Sequence, residues 1–540
     1  MSIRKSVLLF LAFVLLIGVI LWNFENSNFN IVEHSHNPEH SPEFIEDREI
    51  ILYEEENQNA LYPSNSFQYD ELDMALLANS NVLKDLTIGF DSLESMDLFL
   101  SGAENNGIQI LDQMNELSFL RIRVSDLSKA AQFMEQWENE PQYNYPVRAP
   151  VLPRAEFLEG EKSFGPNANE WLGVADKREE WGRGVKVAIL DSGVDRLHDT
   201  LDGVFIEEVD LVGGAEISKG HATAIASIIA GSKPSQLGLS PAVSLLSMRV
   251  LDEKGEGNSF TVAQGIVEAT DRGANVINLS LGGTSRSEVM KNAVDYAHEN
   301  GVLIVAAVGN DGVGEVSYPA KFENVIGVSS VDANGRQSSF ANYGDGVDIA
   351  APGVGVYTAW ENEEMVAFSG TSVATAFISG ALASEISKNP SLLPNQVVDL
   401  VYEYSNESEK PGFDEYTGNG ILNMGRIENR NTPNINDGAI VGYYFDPKDM
   451  QGGTTPFLVS IQNQGTSWLN NLNLEVKYRG VVRNFLFNDL DPGETRSEQL
   501  FLDGSNSSEN GVRISSRLTI GTKEDYTPGN NTRVSTISLP

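Results

Sequence analysis

The sequence predicts an α/β fold built on a doubly wound parallel sheet, preceded by a small α+β unit and followed by an all-β unit. Three observations carry this. Apolar, β-rich runs recur at 185–190, 243–250, 276–281, 302–308, 325–331 and 347–350, as expected of strands covered on both faces. Helical segments lie between several of them, including 262–272 and 287–300, and that alternation is the signature of a parallel sheet. After Ile427 the composition turns to Asn, Thr, Gly and short strand-like runs.

At 540 residues the chain exceeds one ordinary domain, and three or four units are expected. A hydrophobic content of 41% supplies real cores. The formal net charge of −39, with no Lys/Arg-rich run, would repel a phosphate backbone and argues against nucleic-acid binding. The chain has no cysteine, which excludes disulfides, thiolate metal sites and thiol nucleophiles together.

In chain order, Arg4 and Lys5 precede an apolar run from Val7 to Trp22. A basic start followed by such a run reads as an export signal over residues 1–24, either cleaved or retained as an anchor. That places the rest extracellularly or on the outer face of the cytoplasmic membrane, in a bacterium given the absence of cysteine. Any membrane contact would run through this segment alone. Residues 25–82 are acidic and polar without sustained period, a flexible leader whose His34, His36 and His40 lack an ordered scaffold to hold metal.

Residues 83–152 form a compact pattern. Leu86–Phe90 reads as a strand, and Ser92–Ala103 as a helix with Leu93, Met96 and Leu98 among its apolar positions. Ile108–Leu111 and Leu117–Val124 read as a hairpin by alternation. Ser125 is expected to cap a helix over Asp126–Trp137 with Phe133 spaced for burial, and Tyr143–Val151 looks extended. This β-α-β-β-α-β order is the ferredoxin-like split βαβ arrangement.

The chemistry concentrates between 168 and 430. Asp191 follows the first apolar run, at the strand end where open α/β sheets place their reactive groups. His221 opens a helix of small and apolar residues, Gly220–Gly231. Ser372, in Phe-Ser-Gly-Thr-Ser372-Val-Ala, sits where a turn gives way to a helix. A serine there is either an N-cap or a nucleophile whose developing oxyanion meets the free N–H groups of the first turn. Together the three residue types can act as a relay. The His takes the serine proton and returns it to a leaving amine, while the Asp holds the tautomer. Asn310, closing the run Ile304–Gly309, can donate to the oxyanion.

The order Asp, His, Ser is that of the subtilisins, and residues 170–430 closely resemble that family. Val187-Ala-Ile-Leu-Asp191-Ser-Gly resembles its aspartate box, His221-Ala-Thr its histidine box, Val308-Gly-Asn310 its oxyanion box and Gly370-Thr-Ser372 its serine box. Val276–Gly283, Phe340–Gly344 with Ala351-Pro-Gly353, and Gly418–Asn423 match further boxes. Ala222, Ala224, Ser227 and Ala376 depart from the family pattern, each small for small or removing a ring, and none deletes a catalytic group.

The resemblance implies a serine endopeptidase with polypeptide substrates, Asp191, His221 and Ser372 as triad and Asn310 in the oxyanion hole. Ser280, Leu281, Gly282 and Gly283 would line the cleft, with Gly255–Gly257 as the opposite wall. Ser317 would border the pocket for the residue before the scissile bond, leaving room for a medium or large apolar side chain. No metal ligand set is expected, and no cofactor. Gly231–Gly238 offers no carboxylate or asparagine oxygen and Thr200 stands where an aspartate would complete the family's strong calcium site, although carboxylates elsewhere could bind calcium weakly. The unit at 83–152 resembles the family's propeptide, an inhibitory partner cut away between about Val151 and Ala168. Residues 436–540, with strands expected at 439–445, 455–463, 472–478, 495–502, 512–519 and 532–539, resemble an immunoglobulin-like β-sandwich. The whole would work as a monomer. The alternative is a surface-binding protein on a catalytically silent subtilisin-like scaffold.

Overall fold

The computed structural model describes residues 85–537 apart from 138, 151, 154, 159–160, 175–177, 215–217, 234–235, 409–411, 445–453, 504–511 and 522–523. The expected export segment at 1–24 and leader at 25–82 lie outside the described residues. No helix among the described residues is long and apolar enough to cross a membrane. The chain divides into two compact units, Met1–Pro146 with Ser287–Val289, and the remainder.

In the first unit, an antiparallel sheet runs in the order Ile108–Met114, Phe119–Val124, Leu86–Gly89, Gln142–Tyr143. The helices Leu93–Ala103 and Leu127–Met134 accompany it, and Ile88, Met96, Phe99, Leu120 and Ile122 form its core. Ser92 caps the first helix through the Ser95 amide. Two details of the expected pattern change. Leu93 and Leu98 point to solvent and Phe99 does the packing, because the buried stripe follows Met96, Phe99 and Ala103 at helical spacing. The second helix is capped by Asp126, whose Oδ1 accepts from the Lys129 amide at 3.1 Å, while the Ser125 hydroxyl donates to the Gly107 carbonyl.

The second unit holds a seven-stranded parallel sheet. Its strands are β1 Lys186–Asp191, β2 Ile206–Asp210, β3 Ser244–Arg249, β4 Val276–Leu279, β5 Leu303–Ala307, β6 Val325–Val331 and β7 Ile349–Pro352. They lie in the order β7-β6-β5-β4-β1-β3-β2, each neighbouring pair parallel. The apolar runs became the inner strands, buried almost throughout. β2, Ile-Glu-Glu-Val-Asp, carries no apolar run because it lies at one edge of the sheet and is partly exposed to solvent, whereas β7 at the other edge is fully buried.

Three helices place the site. α1 (Gly220–Ala230) and α3 (Thr371–Lys388) pack on each other, α2 (Ser259–Asp271) lies on β1 and β3, and α3 crosses β4 to β7. Every residue of α3 from Thr371 to Glu385 is buried, so it is a core helix, apolar or small all round up to Glu385, which pairs with Lys388 and Arg430. Small residues let α1 and α3 approach: a Cβ on Gly380 would lie 3.1 Å from the Leu239 Cβ and 3.8 Å from the Ile229 Cα. The small departures Ala222, Ala224 and Ala376 are all fully buried. Ser227 is accommodated by hydrogen bonding, 2.6 Å to the Thr358 hydroxyl and 3.0 Å to the Ala224 carbonyl.

Beyond the helix Met424–Asn429 the chain forms two antiparallel sheets around one core that includes Phe457, Val459, Leu472, Leu474, Ile514 and Leu518. One sheet joins Gly438–Tyr444, Thr454–Asn463 and Thr495–Asp503. The other runs Val481–Leu490, Leu469–Tyr478, Val512–Ile520, Thr532–Ile537. Val481–Leu490 is a seventh strand beyond the six expected. Its outer face is exposed and mixes charged with apolar residues, which hides its alternation.

Candidate active site

Asp191 ends β1 and is fully buried. Its Oδ1 accepts from the Ser192 amide at 2.6 Å and its Oδ2 lies 2.7 Å from His221 Nδ1. His221 is the second residue of α1 and retains 6% of its exposure. With Nδ1 committed to the carboxylate, the other ring nitrogen, Nε2, is buried without a hydrogen-bond partner. Such an orphan is costly unless it serves a function. The Phe368 ring stands edge-on to the imidazole at 5.6 Å, and Trp360 packs on Phe368 at 5.5 Å. Gly220 is required by this packing, since a Cβ there would lie 2.2 Å from the Trp360 indole.

Ser372 is the second residue of α3, not its N-cap. Gly370 is the cap, at φ 153° and without a side-chain capping bond. Ser372 therefore sits inside the first turn, among amides that have no intrahelical partner. Ala376 falls in the second turn of the helix.

Asn310 follows β5. Its Oδ1 accepts from both the amide and the hydroxyl of Thr371, each at 2.9 Å. Two donors on one oxygen fix which end of the amide is which, and Nδ2 faces the Gly370 turn, where a Cβ would stand 3.1 Å from it. Thr371 was not singled out from the sequence. Its signal is only its place between the capping glycine and Ser372.

The cleft residues fall into two groups. Ser280 and Leu281 are fully buried and offer only their backbones. The Ser280 hydroxyl donates to the Ser372 carbonyl at 3.2 Å and accepts from Asn278, which in turn accepts from Ser379 on α3. Gly282 is extended and pairs antiparallel with Arg148, with N···O distances of 3.0 and 2.8 Å. Gly283 pairs in the same way with Tyr318. Ser317 is buried between Gly282 and Gly309: a Cβ on either would come within 3.1 or 2.8 Å of it. On the facing side, Ala149 donates to the Gly255 carbonyl at 2.9 Å. The segment 147–149 thus runs as a middle strand between the Gly282 and Gly255 walls.

Among the described residues no three His, Asp or Glu side chains gather to hold a metal ion. At Thr200, the hydroxyl meets His198 Nδ1 at 2.9 Å. Nearby, the Lys233 ammonium lies 3.4 Å from Asp199 and 3.2 Å from Asp202.

A buried carboxylate–imidazole pair, a serine in the first turn of a core helix and an oriented amide at that turn, on a parallel α/β sheet, define a class of hydrolases. The Subtilase family model matches residues 182–420. The chain is 32% identical over 355 residues to an alkaline protease of Shouchella clausii, spanning 62% of this chain and 89% of that one. Against thermitase of Thermoactinomyces vulgaris the identity is 41% over 233 residues, 42% of this chain and 83% of thermitase. In fold, the chain is similar to fervidolysin of Fervidobacterium pennivorans, a keratinolytic enzyme related to subtilisin (TM-score 0.56, 17% identity, 84% of this chain and 91% of that one). The chain belongs to the subtilase family. It is a subtilisin-like serine endopeptidase acting on polypeptides.

Proposed function

We propose that Asp191, His221 and Ser372 form the catalytic triad, with Asn310 and the Ser372 amide as the oxyanion hole of an exported, self-processing endopeptidase. The observation that carries this is the 2.7 Å bond from Asp191 to His221 Nδ1, which leaves Nε2 as the buried, unpartnered base. His221 Nε2 takes the proton of Ser372 Oγ as Oγ bonds to the substrate carbonyl carbon. The oxyanion accepts from Asn310 Nδ2 and the Ser372 amide. When the intermediate collapses, the C–N bond breaks and the imidazolium returns its proton to the leaving amine. A water then repeats the cycle on the acyl-enzyme.

The unit at 83–152 is the ferredoxin-like propeptide in this reading, and residues 436–540 are an immunoglobulin-like accessory module. Support for the first is the strand order of the four-stranded sheet and the course of 147–149 between the cleft walls. With Arg148 opposite Gly282, an unbroken antiparallel register sets Pro150 opposite Ser280. Ser280 is the residue whose hydroxyl holds the Ser372 carbonyl. The self-cleavage bond is accordingly Pro150–Val151.

The test is a fluorophosphonate label. It should modify Ser372 and abolish peptide hydrolysis, while Ser372→Ala leaves the precursor uncut and the wild-type product begins at Val151. A mature protein that hydrolyses peptides without labelling at Ser372 refutes the triad. A product beginning elsewhere refutes only the register.

A further inference from the structure

We infer that the cleft between the parallel-sheet domain and the C-terminal sheets is a second binding site, and that it takes the C-terminal carboxylate end of a peptide. The cleft has a volume of about 990 Å³ and lies among the Met424–Asn429 helix, the 333–336 turn and the 464–466, 492–493 and 526–534 segments. None of its lining residues belongs to the proposed triad, and the inference does not rest on that triad.

The strongest observation is Arg426. It keeps only 9% of its exposure, yet no carboxylate of the described residues pairs with it. One arm of its guanidinium, Nη1, donates to the Ser405 carbonyl. Among the described residues Nε and Nη2 have no hydrogen-bond partner, the guanidinium carbon lies 5.9 Å from the Tyr404 ring centroid, and Nη2 points at the Gly493 turn, where even a Cβ would lie 3.5 Å away. A buried cation without a counter-ion is expensive, and here desolvation by burial pulls the guanidinium down to about 10. The nearby carboxylates are engaged elsewhere. Asp437 accepts from Thr527 and Asn530, both at 2.8 Å, and Glu407 accepts from the Gly412 amide at 2.9 Å.

Two further observations narrow the ligand. The cleft is lined by five Lys or Arg and four Asp or Glu, on a chain with 37 of the first kind and 76 of the second. Positive charge is therefore concentrated at this cleft against the trend of the molecule. The same walls carry Asn406 Oδ1 and Asn530 Oδ1, both buried and without a partner. A planar fork with two unused donors suits a carboxylate held by both oxygens. The orphaned oxygens suit N–H donors close behind it. A peptide's last residue offers that combination, and so do the products of the enzyme's own reaction.

Calorimetric titration of the full-length Ser372→Ala chain with acetyl-trialanine, as the acid and as the C-terminal amide, tests this. The acid should bind saturably and the amide should not. Arg426→Met should weaken acid binding about tenfold or more, and Arg426→Lys, which keeps charge but loses the fork, by a smaller factor. If Arg426→Met does not fold, Asn530→Ala on the opposite wall should weaken the acid several-fold instead. Equal binding of acid and amide, acid binding unchanged by both substitutions, or no binding of the acid overturns the site.

Discussion

Replacing Asn310 by alanine removes two different things at once, and the structure separates them. The side-chain oxygen accepts two bonds from Thr371, one from the amide and one from the hydroxyl, while the nitrogen faces the Gly370 turn, where the proposed oxyanion hole lies. Each neutral bond contributes about 1 kcal/mol net, so Asn310→Ala should destabilise the fold by about 2 kcal/mol. Loss of the donor should lower kcat by about 10²–10³, the cost known for removing one oxyanion donor from a relative of this fold, with KM little changed. Thr371→Val is the control. It is nearly isosteric at a fully buried position and deletes only the hydroxyl bond. It should cost about 1 kcal/mol of stability and lower kcat by no more than about tenfold, because the amide still steers Asn310. The assay is hydrolysis of a peptide anilide alongside denaturant unfolding of each variant on the Ser372→Ala background, which prevents self-digestion. Asn310→Ala with kcat within a few-fold of wild type would refute the oxyanion assignment. Thr371→Val slower than Asn310→Ala would show that Thr371, not Asn310, carries the effect.

Asp191→Asn should lower kcat by about 10⁴ by presenting the wrong His221 tautomer; an anilide assay showing a loss of only a few-fold would count against the relay. Asp348 is pushed up from its ordinary 3.8 to about 6, first by burial and then by Asp345, against a 2.8 Å bond from the Gly327 amide. The folded state then holds the proton more tightly than the unfolded one. This favourable contribution is complete below pH 3.8 and is lost as pH rises through about 6. At about 1.4 kcal/mol per pH unit the ionised carboxylate costs up to about 3 kcal/mol. Asp348→Asn should therefore stabilise the protein at pH 7 by up to that amount and by little at pH 4, and unfolding curves at both values read the difference. Phe457→Ala empties a site of 1% exposure in the core of the C-terminal sheets. It should cost about 3–5 kcal/mol there, seen as an early transition in calorimetry, while anilide hydrolysis is unchanged.

Most of the sheet was legible because burial on both faces writes itself as unbroken apolar runs, and the strand ends then point to Asp191 and Asn310. What escaped had no such imprint. The edge strand Ile206–Asp210 reads as an acidic loop because half of it faces water. The hairpin Val356–Phe368 turns through Asn362 and Glu363 at positive φ, and glutamate carries no signal for that conformation. Ser372 looked like a helix cap because capping and nucleophilic serines share the same preceding Gly-Thr turn, and only the helix start at Thr371 separates them. Arg426 is one basic residue near a helix start by sequence. Its isolation comes from burial and from neighbours far apart in the chain.

The α3 helix has a consequence for how this enzyme loses activity. It carries Ser372 at its first turn and is buried from there to Glu385, against β1, β4 to β7 and α1. Its amides can meet solvent only when the sheet itself comes apart, so their hydrogen exchange should track global opening rather than local fraying. The proposed nucleophile has no soft local mode through which to drift out of place. Heat or denaturant should then switch catalysis off in the same cooperative step that dissolves the sheet, with no range of conditions in which a folded protein has a melted active site.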